Sequence, residues 1–296
     1  MSKTVRKAVI PVAGLGTRLL PATKVVPKEL LPIVDTPAIQ VVIEEVLASG
    51  LQEVILVTGR GKGAIEDHFD HSYELEDILT RRAKTDQLNS VRRISKLVRA
   101  VSIRQKQPLG LGHAVLCAKE AVGDEPFVVI LPDDIIAAKV PCTRQLIDVY
   151  HKYNAGVVSL LPVPEEHVSR YGIVHGEHWA PRLHRIRTLV EKPKREEAPS
   201  NLAIIGRYVL PPKVFTYLEE TPRGADGEIQ LTDALQRLAR ERALIGYEYI
   251  GERHDIGDKL GFLKCNIRHA LQREDIGPEL RQYLRELVSA EQESQS

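Results

Sequence analysis

The chain has 296 residues, with 41 Lys+Arg against 40 Asp+Glu, 43% hydrophobic residues and 3 Cys. A formal charge of +1 provides no broad field for a polyanion, which argues against bulk nucleic-acid or membrane-surface binding, and 27% charged residues on ordinary hydrophobic content exclude a disordered chain. The length supports a core without disulfide or metal staples, no run of about 18 apolar residues offers a bilayer span, and Cys117, Cys142 and Cys265, far apart and without CxxC spacing, fit a reducing cytoplasm.

Met1 to Arg6 leads straight into a strand-like run with no signal-peptide segment, so a cytoplasmic protein is expected. That run, Ala8-Val9-Ile10-Pro11-Val12, is continuously apolar, the pattern of a strand buried on both faces. Ile39, Val42, Ile43, Val46 and Leu47 then recur at helical spacing, with Pro37 in the first turn and Gly50 as the stop. Glu53 to Val57 is a second buried strand, and strand, helix, strand implies parallel pairing with a right-handed crossover. The alternation continues through a helical region from Glu74 to about Val98, a strand near Val101–Ile103 and a helix from about Gly112 to Ala121. Next come a strand at Phe127–Leu131, a helix near Thr143–Tyr153 and a strand at Val157–Leu161. From Tyr171 to Leu210 short strand-like runs crowd together, predicting an antiparallel section. Helices near Ile229–Arg240, Leu260–Gln272 and Pro278–Ala290 follow, and the polar tail Glu291–Ser296 is expected to fray. With no repeat or linker, the pattern predicts a single domain over 1–296.

The most informative segment is Ala13-Gly14-Leu15-Gly16-Thr17-Arg18, at the C-terminal end of the first strand, where open α/β sheets bind ligands. Glycines there allow backbone N–H groups to approach phosphate oxygens, and Arg18, Lys24 and Lys28 add cations to the same loop. The bland alternative is an ordinary glycine-rich turn. A dinucleotide fingerprint fails because Leu19 stands where a third glycine is needed, and a Walker loop fails at Leu56 and Gly63 around Gly61-Lys62. Asp133 directly follows an apolar strand and suits either Mg²⁺ or the capping of the next turn. Asp255 follows the last strand-like run, and two carboxylates from separate strand ends are able to share a metal if the fold brings them together. His68 with His71, and His175 with His178, match no zinc spacing; surface histidines are the simpler reading. The basic stretch from Glu74 to Lys106 lacks interleaved aromatics, which favours a solvated helix face or an inter-subunit surface over a nucleic-acid site. Ser159 and His113 belong to no hydrolase elbow.

These motifs resemble the signature of the sugar-nucleotide pyrophosphorylases, nucleotidyltransferases that make activated sugars. The finer resemblance is to the bacterial UTP–glucose-1-phosphate uridylyltransferases (UDP-glucose pyrophosphorylases). It is carried by Gly14–Lys24, Val57–Lys62, Glu66–Asp70, Gln107–Ala114 and Val190–Pro193, spread over nearly the whole chain. The resemblance implies an α/β, Rossmann-like nucleotidyltransferase fold: a mixed, mainly parallel central sheet flanked by helices, a small antiparallel section and C-terminal helices. Within one domain it implies a phosphate- and uridine-binding part at about 5–165, a sugar-binding part at about 166–256 and helices at about 257–290. The implied reaction is Mg²⁺-dependent transfer of a uridylyl group from UTP to glucose 1-phosphate, giving UDP-glucose and pyrophosphate, in a cytoplasmic homodimer or homotetramer.

Carried over residue by residue, the resemblance makes Ala13, Gly14, Gly16 and Thr17 nucleotide contacts and Gln107 and Gly112 the uracil readers. It makes Asp133 and Asp255 the Mg²⁺ carboxylates, with Asp134 secondary. Gly172 and Glu191 become the sugar pocket, Lys192 the partner of the sugar phosphate, and Arg18 and Lys28 the holders of pyrophosphate. Around Asp255 the chain departs from the family pattern, with His254, Ile256 and Phe262 where Tyr, Cys and Tyr are expected. A thymidylyl- or guanylyltransferase would share the loop but differ in the base-reading segment. A catalytically silent paralogue would carry damage in the loop, whereas Thr17, Arg18 and Lys28 are all present.

Overall fold

Along the first strand, β1 (Lys7–Pro11), Ala8 and Ile10 enter one apolar cluster while Val9 enters another. Successive side chains of a strand point to opposite faces, so a run apolar at every position needs cover on both sides. A computed structural model, describing residues 4–224, 227–241 and 243–294, supplies that cover. Helices Ala38–Ala48 and Cys142–Tyr153 pack Ile39, Val42, Ile43, Leu146 and Ile147 into the first cluster. Helices Gly110–Cys117, Lys213–Glu220 and Leu231–Arg240 pack Val115, Phe215, Leu218 and Leu235 into the second.

The remaining strands are β2 (Pro32–Ile33), β3 (Thr36–Pro37), β4 (Glu53–Thr58), β5 (Arg99–Arg104), β6 (Phe127–Ile130), β7 (Asp134–Ala137) and β8 (Gly156–Pro162). After them come β9 (Gly172–Ala180), β10 (Leu183–Glu191), β11 (Leu202–Leu210), β12 (Leu244–Glu248) and β13 (Glu252–Asp255). Nine strands form one sheet in the order β5-β4-β1-β6-β11-β8-β12-β10-β9. The sheet is parallel from β5 to β6, as the strand–helix alternation predicts. Beyond β6 it is mixed, because β11 runs antiparallel between β6 and β8, while β12 pairs parallel with β8 and antiparallel with β10. The antiparallel section therefore reaches into the centre of the sheet instead of standing beside it.

Other differences are local. The helical region near 74–98 is two helices, Tyr73–Arg81 and Thr85–Ser95, broken at Ala83, whose φ of 52° no helix accommodates. The helix expected from Gly112 starts at Gly110 and breaks after Cys117. The final helix runs Gly277–Ser294, so Glu291 is helical and not frayed. The ribbon of β7 against β13 has no counterpart in the sequence pattern. Among the described residues, no helix is long and apolar enough to cross a membrane.

Candidate active site

After β1 the chain folds back on itself before its first helix begins. Gly16 has φ 67°, a conformation glycine adopts without cost, and a Cβ there would sit 3.2 Å from side-chain atoms of both Lys28 and Thr23. The Thr23 hydroxyl donates to the Gly16 carbonyl at 2.7 Å. Single turns of 3₁₀ helix at Thr17–Leu19, Ala22–Lys24 and Lys28–Leu30, then the β2–β3 ribbon, complete the loop. Beneath it Lys62, just beyond β4, pairs with Glu29 at 2.8 Å, both side chains almost inaccessible. The second Glu29 oxygen, Oε1, is buried with no hydrogen-bond partner among the described residues, and Glu29 lines the cleft described next.

Two cavities adjoin at this end of the sheet. One, of about 440 Å³, is lined by Ala13, Gly14, Gly16, Thr17, Lys28, Glu29, Gln105 and Gly110 among others. The second, of about 550 Å³, is lined by Arg18, Arg170, Gly172, Glu191, Lys192, Thr232, Arg253 and Asp255 among others. Leu111, Leu131, Asp133 and Glu228 line both, so the two are halves of one cleft with Asp133 at the join.

Asp133 is gripped from the phosphate loop. Lys28 Nζ lies 2.8 Å from its Oδ2, and Arg18 lies 3.7 Å from the same oxygen. Burial pushes the Asp133 carboxyl up, but the Lys28 ammonium and the Arg18 guanidinium outweigh it and hold the group below its ordinary value. The β7–β13 ribbon brings in the second acid: Asp134 and Asp255 are register partners, and Ile256 N–H donates to the Asp133 carbonyl at 2.9 Å. Asp255 Oδ1 accepts from Gly257 N–H at 3.0 Å, and its Oδ2 faces Arg170 at 3.3 Å and Arg253 at 3.5 Å.

Asp134 serves the scaffold instead, accepting from Arg253 Nε at 2.5 Å and from Gly206 N–H at 3.1 Å. Among the described residues no three His, Cys, Asp or Glu side chains form a metal cluster. Asp133 and Asp255 are an oxygen-only pair beside room for phosphates, a donor set that suits Mg²⁺, which takes one or two carboxylates and completes its shell with phosphate and water.

In the other half Glu191 pairs in register with Gly172, where a Cβ would stand 3.2 Å from Glu191 Oε2. The Thr232 hydroxyl donates to that oxygen at 2.6 Å. Lys192, with φ 43°, donates its N–H to the Tyr171 carbonyl at 3.0 Å and keeps Nζ 3.4 Å from Glu191 Oε1.

Most residues singled out from the sequence thus converge: Ala13, Gly14, Gly16, Thr17, Lys28 and Asp133 in one half, and Arg18, Asp133, Gly172, Glu191, Lys192 and Asp255 in the other. Gln107, Gly112 and Lys24 line neither cavity. Gln107 is exposed. Gly112 is buried, its N–H is spent on the Ile229 carbonyl at 2.9 Å, and a Cβ would meet that oxygen at 2.6 Å. Gln105 is 8% exposed and lines the cavity of the glycine-rich loop with Gly110, which has φ 89°. The Gln105 carboxamide is held by the Gly110 carbonyl at 3.2 Å and His113 Nδ1 at 2.9 Å. Sequence reasoning also missed Glu29, Arg170, Glu228, Thr232 and Arg253. Glu29 directly follows Lys28 of the loop, while the others lie in segments whose approach to the loop is visible only in three dimensions.

The family model described as Nucleotidyl transferase matches residues 7–270. The UTP–glucose-1-phosphate uridylyltransferase of Bacillus subtilis (strain 168) is 49% identical over 290 residues, covering 98% of this chain and 99% of that protein. Among solved structures, the UTP-bound UGPase from Acinetobacter baumannii matches with a TM-score of 0.89 at 41% identity, over 96% of this chain and 100% of that one. A UDP-glucose pyrophosphorylase complexed with UDP-glucose matches with a TM-score of 0.84 at 41% identity, over 91% of this chain and 100% of that one.

Proposed function

The chain belongs to the nucleotidyl transferase family, alongside the UTP–glucose-1-phosphate uridylyltransferases, and we propose that it transfers the uridylyl group of UTP to glucose 1-phosphate, forming UDP-glucose and pyrophosphate. The observation that carries this reading is the two-part cleft joined at Asp133, with a glycine-rich loop and Lys28 on one side and carboxylate, hydroxyl, guanidinium and ammonium groups on the other.

A phosphate oxygen of glucose 1-phosphate attacks the α-phosphorus of UTP in line, the bond to the bridging oxygen breaks, and pyrophosphate leaves. No protein nucleophile is required, so the residues act by positioning and charge neutralisation. Backbone N–H groups of the Ala13–Thr17 loop hold the nucleotide. Gln105, its amide nitrogen held by Gly110 and His113, presents its amide oxygen to the imide N–H of uracil, and Gly110 lines the same cavity. Glu29 Oε1, buried and without a hydrogen-bond partner among the described residues, accepts from a ribose hydroxyl. Arg18 and Lys28 neutralise the departing pyrophosphate, and Lys192 guides the attacking phosphate. Glu191, steadied by Thr232 and packed against the bare backbone of Gly172, takes a glucose hydroxyl. Asp133 and Asp255 would hold Mg²⁺, which when bound supplies charge neutralisation on the phosphate oxygens. A cytoplasmic homodimer or homotetramer belongs to the same reading and rests on the family resemblance alone.

The reverse reaction tests the assignment. Purified protein given UDP-glucose, pyrophosphate and Mg²⁺ is expected to generate the UTP signals in a phosphorus NMR spectrum. Folded protein that produces none contradicts the assignment.

A further inference from the structure

A fully buried arginine lies under the turn that carries Asp133. Arg207 is in β11, at a register shift between Ile205 and Tyr208, and its side chain is 0% exposed. Its Nη1 donates to the carbonyls of Leu131 and Gly206, both at 3.1 Å, and its Nη2 donates to the Asp134 carbonyl at 2.8 Å. Glu45, on helix Ala38–Ala48, balances the charge through Nε at 3.1 Å and Nη2 at 2.7 Å. Glu45 is in turn fixed by the Thr143 hydroxyl at 2.7 Å and the Thr143 N–H at 3.1 Å. Gly206 closes the same turn: its N–H donates to Asp134 Oδ2 at 3.1 Å, and its carbonyl accepts Leu131 N–H at 2.8 Å.

Desolvating an ion pair offsets much of its attraction, and well-packed apolar residues often fill such a space with no loss of stability. Fold stability alone therefore gives a weak reason for a guanidinium here. What an apolar residue cannot do is bridge the carbonyls on both sides of Pro132-Asp133. Planar, with five donors in a fixed fork, a guanidinium does this and also engages its counter-ion.

We propose that Arg207, charge-balanced by Glu45, is a positioning residue for uridylyl transfer: by gripping the Leu131 and Asp134 carbonyls it fixes the turn that presents the Asp133 carboxylate to the join between nucleotide and sugar phosphate. Lys28 and Arg18 act on that carboxylate from the cleft side, whereas Arg207 lines neither cavity and acts only through the backbone. The inference rests on the reaction assigned above.

The test compares wild type, Arg207→Lys, the double variant Glu45→Gln/Arg207→Met, and Leu238→Ala, a core truncation on the opposite face of the sheet that serves as a destabilised control. Each is assayed for Tm, for kcat and KM, and for Mn²⁺ affinity in the presence of UTP by electron paramagnetic resonance of free Mn²⁺. The double variant is expected to lose on the order of 100-fold in kcat, with KM values changed by less than about threefold. Its Mn²⁺ affinity is expected to weaken about tenfold, the scale of lost outer-shell support for a metal ligand. Arg207→Lys, a point charge unable to span both carbonyls, should fall between, and Leu238→Ala should lower Tm with kcat and Mn²⁺ affinity retained. Arg207 variants that lose no more kcat or Mn²⁺ affinity than Leu238→Ala at equal Tm overturn the proposal. If the double variant does not fold, Arg207→Lys decides by the same comparison. A wild type that binds Mn²⁺ but does not turn over contradicts the reaction assignment, and the Mn²⁺ titrations of the variants then still decide the positioning role.

Discussion

Asp134 and Asp255 stand opposite each other in register across the β7–β13 ribbon, and Arg253 of the same ribbon reaches both, 2.5 Å from Asp134 Oδ1 and 3.5 Å from Asp255 Oδ2. The ribbon thereby ties two acidic segments, distant in sequence, to one edge of the cleft. Arg253 also donates to the Tyr171 hydroxyl at 3.0 Å, which extends the tie to the wall shared with Gly172 and Glu191.

Arg253→Met removes the counter-ion of a buried carboxylate, which typically costs about 3–5 kcal/mol. The loss is expected to depend on pH. Burial pushes the Asp134 carboxyl above its ordinary value of 3.8, Arg253 opposes the rise, and Asp133 and Asp255 add to it. Without Arg253 the folded-state value climbs further. A carboxyl raised on folding contributes stability below its unfolded pKa and loses it as pH rises through the folded one. The gap to wild type should therefore open only once pH passes the wild-type folded value, which lies above 3.8, and widen as pH rises further. Urea unfolding at acidic and neutral pH measures it, and a gap of equal size at both contradicts the assignment of Asp134 as the group responsible.

Gln105 and Gln107 offer a sharp contrast. Gln105→Ala is expected to lower kcat/KM for UTP about tenfold, the scale of one lost hydrogen bond, and to narrow the preference over other nucleotides. Gln107→Ala, exposed and outside the cleft, should stay within about twofold of wild type. Steady-state kinetics with UTP and dTTP separate the two, and the opposite ranking restores Gln107 as the base reader.

The placement of Gln105 in the cleft and of Gln107 outside it shows where sequence reasoning stops. Gly14, Gly16, Arg18 and Lys28 were legible because a glycine-rich loop with cations at a strand end is a local pattern with a local cause. The doubly buried β1 and the helix from Ala38 were legible through apolar periodicity for the same reason. Gln105 and Gln107 share residue type and neighbourhood, and only the docking of Ile229 against Leu109 and Gly112 decides which glycine and which glutamine face the cavity. The β7–β13 ribbon was hidden because each strand has four residues and its partner lies far along the chain. Arg207 was hidden inside an otherwise apolar strand, where one charge in Ile204-Ile205-Gly206-Arg207-Tyr208 carries no periodic signal.

Lys28→Ala should reduce turnover by about 10²–10³-fold, the scale of a lost electrostatic contact to a reacting group. It should also move the acid limb of the pH–rate profile to higher pH, because the Lys28 ammonium helps to hold the Asp133 carboxyl low against burial. The sign follows from linkage: whatever the Asp133 carboxylate contributes is present above the unfolded pKa and lost as pH falls through the depressed folded value, and removing Lys28 raises that value. A pH–rate profile with an unmoved acid limb contradicts the coupling.

Glu191→Ala should raise KM for glucose 1-phosphate by about tenfold while KM for UTP stays near wild type, since Glu191 lines only the sugar-side cavity. Initial rates with each substrate varied in turn check this. A rise in KM for UTP alone reverses the assignment of the two halves.

Uridylyl transfer is measured as pyrophosphate release from the purified protein with UTP, glucose 1-phosphate and Mg²⁺, repeated with dTTP, GTP and ATP and with the sugar phosphate omitted. Release is expected with UTP, stops when glucose 1-phosphate is left out and is weaker with the other nucleotides. Folded protein that binds UDP-glucose but releases no pyrophosphate with any nucleotide contradicts uridylyl transfer and identifies a binding protein that has kept an intact phosphate loop.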